Sequence, residues 1–200
     1  MMATPTSTRW ELQPHTEAKH KILKYYLDAW LPILTRYRPR VVLLDGFAGP
    51  GRYEGGEPGS PIIALETLLQ HPTLRSRGAE VDLICIEEKT DRCAALSEEV
   101  ERLKVVSPFP STIRSEIICG SFETEVRRLI KKGAFDGAPV FAFIDPFGFA
   151  GVPMSLIRDL ARQPRCECLI NFAYESVNRF AGHPDEAILS NFDELFATSD

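Results

Sequence analysis

The sequence predicts an α/β fold in which a mostly parallel sheet is covered by helices on both faces. Short apolar runs rich in β-branched residues alternate with longer stretches whose apolar residues recur at helical spacing. The chain has 200 residues, of which 44 % are hydrophobic and 26 % are charged, which is enough for one core of ordinary size. Because right-handed crossovers join such strands, we expect the strand order 3-2-1-4-5, with ligands bound beyond the carboxyl ends of the strands.

The first element is a predicted amphipathic helix from Thr16 to Arg36, which Pro32 is expected to kink or break. Five strands are predicted after it, at Val41–Leu44, Val81–Ile86, Glu116–Ile118, Val140–Ile144 and Cys168–Phe172. Helices are predicted between them, at Pro61–Gln70, Asp91–Leu103, Phe122–Lys131 and Pro153–Arg162. We expect Ser60 and Ser121 to cap the first and third of these helices.

Three regions follow from this order of elements. Residues 1–39 form an amino-terminal helical cap, residues 40–180 form the α/β domain, and residues 181–200 form a tail with one weak helical pattern from Asp185 to Phe196. A complete sheet of this kind has two more strands, which the sequence does not show. The chain is therefore expected to be a fragment of a longer protein or to diverge in its last part.

The formal net charge is −5, so the surface as a whole would repel nucleic acid unless basic residues gather on one face. The alternative interpretation of the basic clusters is a set of solvated helix ends and faces. The clusters are Arg36, Arg38 and Arg40; Arg127, Arg128, Lys131 and Lys132; and Arg158, Arg162 and Arg165.

The five cysteines predict reduced, buried thiols, since three of them fall inside apolar runs. Cys166 and Cys168 form a C-x-C pair without a second pair of ligands nearby, so no metal site is predicted. No run approaches the length of a membrane span, and the first ten residues lack the pattern of a secretory signal. We expect a cytoplasmic protein without a membrane anchor.

A glycine-rich turn follows the first strand, in the run from Asp45 through Gly46, Phe47 and Ala48 to Gly49-Pro50-Gly51. Gly49 and Gly51 are expected to let the backbone approach a ligand, with Phe47 beside it. Asp45 ends the strand, where its carboxylate suits the cationic amino-acid end of a ligand such as S-adenosylmethionine better than a phosphate. No lysine of a phosphate-binding loop follows.

The second and third strands supply further candidate ligand contacts. Glu87 ends the second strand and is placed to accept hydrogen bonds from ribose hydroxyls, with Glu88 as the fallback; the alternative is an exposed acid at a helix amino terminus. After the third strand, Ser121 and Phe122 are candidates to bond and stack on an adenine ring. A place for Phe122 in the core is equally open.

The candidate reaction centre is the run Asp145-Pro146-Phe147-Gly148-Phe149 after the fourth strand. The Asp145 carboxylate and the Pro146 carbonyl are two acceptors that suit the two hydrogens of an exocyclic amine, whose lone pair can then face a methyl donor. Phe147 and Phe149 are placed to clamp a flat base. The alternative is a simple Asp-Pro turn.

These two motifs and the fold plan resemble the class I, Rossmann-like S-adenosylmethionine-dependent methyltransferases. Asp-Pro-Phe-Gly resembles the fourth motif of amino-methylating enzymes, including a variant found in tRNA guanine N2-methyltransferases. A closer resemblance, to the three-Cys-motif partner proteins, covers nearly the whole chain. It is carried by the segments Lys19–Trp30, Asp45–Tyr53, Gly59–Pro61 and Ile144–Gly148. These bacterial proteins are encoded beside a second protein that bears the cysteine motif, so the resemblance implies that protein as a partner.

Four residues are candidate substrate contacts outside the motifs: Lys19, His20, Arg52 and Tyr53, with Phe149 as a fifth from the reaction-centre run. Two functions remain open from the sequence. The first is an S-adenosylmethionine-dependent N-methyltransferase that acts on an exocyclic amine, of a nucleobase in RNA or DNA. The second is a non-catalytic interaction module that works with the neighbour-encoded protein. An NAD-linked oxidoreductase fits less well, because the glycine turn lacks the third glycine of the dinucleotide fingerprint.

Overall fold

The computed structural model describes residues 6–71, 78–148, 151–172, 174–180 and 186–196. The helices are α1 (Pro14–Tyr37), α2 (Ser60–Gln70), α3 (Thr90–Val106), α4 (Phe122–Lys131), α5 (Met154–Ala161), α6 (Tyr174–Phe180) and α7 (Glu186–Phe196). The strands are β1 (Arg40–Asp45), β2 (Glu80–Glu87), β3 (Ile113–Cys119), β4 (Val140–Ile144) and β5 (Cys166–Ile170). A strand–helix alternation of this kind is the expected architecture of an α/β domain.

The five strands form one all-parallel sheet in the order β3-β2-β1-β4-β5, which confirms the predicted order. β1 lies in the middle, where Asp45 is in register with Cys85 of β2 and with Phe143 of β4. Asp145 therefore lies two residues further along the strand next to Asp45. The register brings the two predicted motifs to the same edge of the sheet.

Helices cover both faces of the sheet, as predicted, because the central strands are apolar on both sides. Val41 and Leu43 of β1 belong to a core cluster with α1, α2 and α3. Val42 and Leu44 point the other way, into a second cluster with α4 and α5. α1 contributes Leu23, Leu27, Trp30 and Leu31 to the first cluster, so it packs directly on the α/β domain.

Helix α1 runs continuously from Pro14 to Tyr37, so of the kink or break expected at Pro32, the break is wrong. Proline removes one backbone donor from a helix, but tertiary packing opposes the break here. Trp30, Leu31 and Thr35 on either side of the proline are buried against the core, and the Thr35 hydroxyl donates to the Leu31 carbonyl. The packing of both flanks keeps the helix continuous through the proline.

The two edge strands begin earlier than predicted. β3 begins at Ile113 rather than Glu116, because Arg114 is stabilised there by ion pairs to Asp82 and Glu80 of the neighbouring strand. β5 covers Cys166–Ile170 and ends before Phe172. Charged residues on an edge strand hide the alternating pattern on which strand prediction depends.

The structure joins Cys93 of α3 and Cys119 of β3 in a disulfide, with their Cα atoms 6.0 Å apart. The prediction of five reduced thiols is wrong for this pair. Cys85 is a free, buried thiol, whose pKa is raised by burial. Cys166 and Cys168 pack against the second core cluster with their sulfurs 3.9 Å apart.

A separate observation concerns membranes. In the part of the chain that the structure describes, no helix combines the length and the apolar character that a membrane crossing needs.

Candidate functional site

A cavity of about 820 Å³ lies at the carboxyl ends of β1 and β4. The strand order reverses between these two strands, and a crevice at such a point is the usual ligand site of an open parallel sheet. The volume is within the range of small-molecule sites. The lining residues are Trp10, Gln13, His15, Thr16, Lys19, His20, Phe47, Ala48, Gly49, Pro50, Gly51, Arg52, Tyr53, Gly59, Ser60, Asp145, Pro146, Phe147, Asn171, Phe172, Tyr174 and Arg179.

Asp45 lies directly beneath this cavity rather than in its lining, and it is buried. Its carboxylate accepts hydrogen bonds from the Ser60 hydroxyl and from the Phe47 N–H. Burial raises the pKa of Asp45 to about 7, although these hydrogen bonds oppose the rise; the nearby Asp145 and Glu87 charges add to it. Ser60 does line the cavity, so its hydroxyl links the cavity wall to the buried carboxylate.

Sequence reasoning missed this role of Ser60, which was expected to be a helix cap. Helix α2 begins at Ser60 itself, Gly59 occupies the cap position, and no side chain caps the helix. The signal available in the sequence was the proline at position 61, which marks a helix start but does not decide which residue precedes the first turn.

The two glycines of the turn have different reasons to be glycine. Both have positive φ, 64° at Gly49 and 83° at Gly51. A Cβ at Gly51 would lie 2.9 Å from Leu96 of α3, so this glycine is needed for packing rather than for ligand approach. A Cβ at Gly49 would meet only the Trp10 ring, at 3.7 Å, so Gly49 is the glycine that keeps the cavity side of the turn open.

Glu87 is buried and holds the glycine turn in place instead of lining the cavity. One carboxylate oxygen accepts from the Gly49 N–H and the other from the Lys89 N–H, both at 2.9 Å. The predicted role at ribose hydroxyls differs from this arrangement, because both oxygens already bond backbone donors. Glu87 shapes the turn that faces the cavity.

Ser121 and Phe122, the predicted adenine contacts, also lie outside the cavity lining. The Ser121 hydroxyl accepts from the Thr124 N–H at 3.3 Å, which confirms its predicted role as a helix cap. Phe122 is buried beneath Gly46, where a Cβ on that glycine would lie 2.6 Å from the ring. Its ring also packs at 5.0 Å from Phe47. The structure thus gives Phe122 the core position that the sequence left open.

The predicted reaction centre reaches the cavity through Asp145, Pro146 and Phe147. Both Asp145 oxygens contact the Lys19 ammonium, at 2.7 and 2.6 Å, so a side chain from α1 already holds this carboxylate. His20 is buried beside this pair, and burial lowers the pKa of His20 to about 4, which the Asp145 charge opposes. The imidazole is therefore neutral at physiological pH.

Aromatic rings form a continuous row along the cavity. Phe147 and Trp10 have ring centroids 5.4 Å apart, Trp10 and Tyr53 5.7 Å, and Tyr53 and His20 5.7 Å. Burial raises the pKa of Tyr53, and the charges of Asp145 and Asp45 add to this effect. Sequence reasoning missed Trp10, because it precedes every predicted element and its spacing to the motifs carries no signal.

Arg52 lines the cavity as predicted, although its guanidinium is held by Glu99 and by the Gly56 carbonyl. Phe149, the last predicted substrate contact, falls outside the described residues. Basic residues at or just after the carboxyl ends of α1, α4 and α5 lie on the segments that lead into β1, β4 and β5, toward the amino ends of these strands. They are Arg36, Arg38, Lys131, Lys132, Arg162 and Arg165.

Within the described residues, no group of three or more His, Cys, Asp or Glu side chains is arranged to hold a metal ion. A scan against models of protein families finds no match, and a search of the curated proteins finds none. The interpretation of the cavity therefore depends on its own geometry.

The stability of the ligand-free chain is expected to depend on pH through Asp45. The pKa of Asp45 is about 7 in the fold and 3.8 without it, so the folded chain binds more protons between these values. The contribution of Asp45 to the free energy of unfolding is complete below pH 3.8, the unfolded pKa. It is lost as the pH rises through about 7, the pKa in the fold. Urea denaturation at about pH 5 and about pH 8 should show a difference of about 2 to 3 kcal/mol from this group.

The control is Asp45→Asn, which keeps the shape and removes the titration. The expected pH-dependent difference should disappear in this variant, while other groups, including His20, keep their effects. An equal pH dependence in both proteins would contradict the assignment.

Proposed function

We propose that this chain is an S-adenosylmethionine-dependent N-methyltransferase of the three-Cys-motif partner family, acting on an exocyclic amine of a nucleobase in RNA or DNA. The observation that carries the proposal is the meeting of two motifs at one cavity. Asp145 and the Gly49 turn lie on neighbouring strand ends, and the Asp45–Ser60 pair forms the floor between them.

The residues at the floor fit the cationic amino-acid end of the cofactor. Ser60 donates its hydroxyl proton to Asp45 and so presents oxygen lone pairs to the cavity, where an ammonium group can donate to them. A cation at this place would also offset the burial of the Asp45 charge. Gly49 would leave space for the chain of the cofactor beside the turn.

The cofactor, when bound, supplies a methyl group on a positively charged sulfur. Asp145 and the Pro146 carbonyl would accept the two hydrogens of the acceptor amine, which takes the place of the Lys19 ammonium. With the amine held in this way, its nitrogen would take the methyl group from the sulfur of the cofactor and would release one proton to water. The chain contributes mainly by positioning the two reactants.

The aromatic lining favours a flat acceptor. Phe147 is 38 % exposed, Phe172 is 49 % exposed and Tyr174 is 66 % exposed, and all three line the cavity. Exposed rings beside a cavity are the usual means of stacking an extruded or single-stranded base. This supports a nucleobase rather than a small aliphatic amine.

Calorimetric titration with S-adenosylmethionine tests the cofactor part of the proposal. We expect micromolar affinity, an at least roughly tenfold loss in Asp45→Ala, and a smaller loss in Ser60→Ala. Glu87→Ala should also weaken binding because it releases the glycine turn. Glu88→Ala is the matched control, since Glu88 is the exposed neighbour of Glu87. Absence of binding to the wild-type chain would refute the proposal.

A second function is favoured by one further observation. Helix α1 exposes an apolar stripe on its outer face, formed by Ile22, Tyr25, Ile33 and Tyr37 at 56 to 72 % exposure. Such a stripe suits a partner protein and supports the interaction module working with the cysteine-motif protein. The interaction module would be supported if the cysteine-motif protein binds this chain, if Tyr25→Asp abolishes that binding, and if the complex transfers no methyl group.

A further inference from the structure

The chain segment before α1 lines the cavity through Trp10 and Gln13 and is bonded to helix α3. We call residues 7–13 the amino-terminal strap. The Thr8 hydroxyl bonds Asp91 at 2.5 Å, and Arg9 bonds the buried Glu99 at 2.8 Å. The carbonyl of Trp10 accepts from the Glu54 N–H at 2.9 Å, which links the strap to the loop after the glycine turn. These contacts place one ring, Trp10, against the turn.

Trp10 is a wall of the cavity and not a plug within it. The volume of about 820 Å³ is present with the strap in place, and Trp10 is among its lining residues. The Arg92 guanidinium lies 4.7 Å from the centroid of the same ring and is itself buried. Arg92 does not line the cavity, so it supports the ring from the α3 side.

The position of Trp10 determines which part of a bound cofactor would contact its ring. The ring lies beside Gly49, Tyr53 and Phe147, close to the ends of β1 and β4. The predicted adenine contacts Ser121 and Phe122 do not reach the cavity. A cofactor whose amino-acid end faces Ser60 and the Gly49 turn would therefore bring that end and its sulfur close to Trp10.

We propose that Trp10 is a cofactor-binding residue that contacts the amino-acid and sulfur-bearing end of S-adenosylmethionine, and that Arg9 positions it through Glu99. This inference rests on the proposed function. A bound cofactor would bury the face of the Trp10 indole that is turned away from Arg92. Because the ring is already held in place, this burial adds affinity without the entropic cost of ordering a new segment. S-adenosylhomocysteine has the same amino-acid end and should meet the ring in the same way.

The test is calorimetric titration of the full chain with S-adenosylmethionine and with S-adenosylhomocysteine. Trp10→Ala should weaken both by roughly tenfold, and Trp10→Phe should weaken them less. Arg9→Met should weaken both and should add little in the Trp10→Ala background, since it acts through the same ring. Val105→Ala is the matched control, because that apolar side chain is 82 % exposed near the end of α3 and does not line the cavity.

Fluorescence supplies a readout that does not depend on a damaging substitution at the site. The sequence has two tryptophans, and the second, Trp30, is buried with its indole N–H on Glu167. In Trp30→Phe all tryptophan emission comes from Trp10, and it should change saturably on titration with S-adenosylhomocysteine. Thermal unfolding of each ligand-free variant checks that the fold is kept.

The two proposals fail in different ways. If the wild-type chain binds the cofactor and Trp10→Ala binds it equally well, the role of Trp10 is overturned and the methyltransferase proposal stands. The same holds if the emission of Trp30→Phe does not change on titration. Absence of binding to the wild-type chain overturns both.

Discussion

Replacement of Asp145 by alanine is expected to abolish methyl transfer, with a loss of at least about 100-fold, while the affinity for S-adenosylmethionine changes by less than about twofold. The carboxylate is one of two acceptors that orient the amine, and without it the lone pair is no longer held toward the methyl donor. Cofactor affinity is spared because the floor of the cavity depends on Asp45 and Ser60 instead.

Transfer is measured with labelled cofactor, using in-vitro-transcribed tRNA and unmodified single-stranded and duplex DNA as acceptors. Asp28→Ala is the matched control, since Asp28 also pairs with a lysine of α1, Lys24, but on the outer surface. Transfer at the wild-type rate by Asp145→Ala would rule out the role given to this carboxylate. A parallel loss of cofactor affinity would show that Asp145 binds the cofactor rather than the acceptor.

Replacement of Glu99 by glutamine is expected to lower the free energy of unfolding by about 3 kcal/mol. The Glu99 side chain is 1 % exposed, and its carboxylate bonds Arg9, Arg52 and Arg102. Glutamine keeps the shape but removes the charge, so three charge-assisted hydrogen bonds are weakened together. The strap and the loop that carries Arg52 lose a shared anchor.

Urea denaturation measures this effect, and Glu101→Gln on the same helix is the control. Glu101 also pairs with a basic residue, Lys104, but its side chain is 69 % exposed, so its removal should change stability by less than about 0.5 kcal/mol. Similar small effects in the two variants would show that the arginine cluster does not anchor the strap.

The sheet was predictable because its central strands are nearly pure apolar runs. Val140–Ile144 is buried at every position, and its bounds were predicted without error. The errors lie where tertiary contacts decide the outcome, as at Pro32, which packing on both sides keeps within a helix. The edge strand β3 gained its first residues from ion pairs of Arg114, which local patterns do not contain.

The parts of the site that directly follow a strand were predictable from the sequence. Asp145, Gly49 and Tyr53 meet at one cavity because parallel strands end at the same edge. The contributions of Ser60 and Trp10 were not predictable from the local sequence. Ser60 acts through its hydrogen bond to Asp45, and Trp10 packs against Phe147, which lies far along the chain. Phe122 shows the reverse case, a ring whose pattern suits a ligand but whose neighbour Gly46 leaves room for it in the core.

The bonds from residues 8–19 to distant parts of the chain set an order of events during synthesis. Thr8 and Arg9 bond residues 83 and 90 positions later, and Lys19 bonds one 126 positions later. Residues 8–19 are synthesised before these partners, so their contacts wait for α3 and then for the residue that follows β4. Until residue 145 has emerged, the nascent chain cannot hold residues 8–19 against the cavity, and this segment stays accessible to proteases and chaperones.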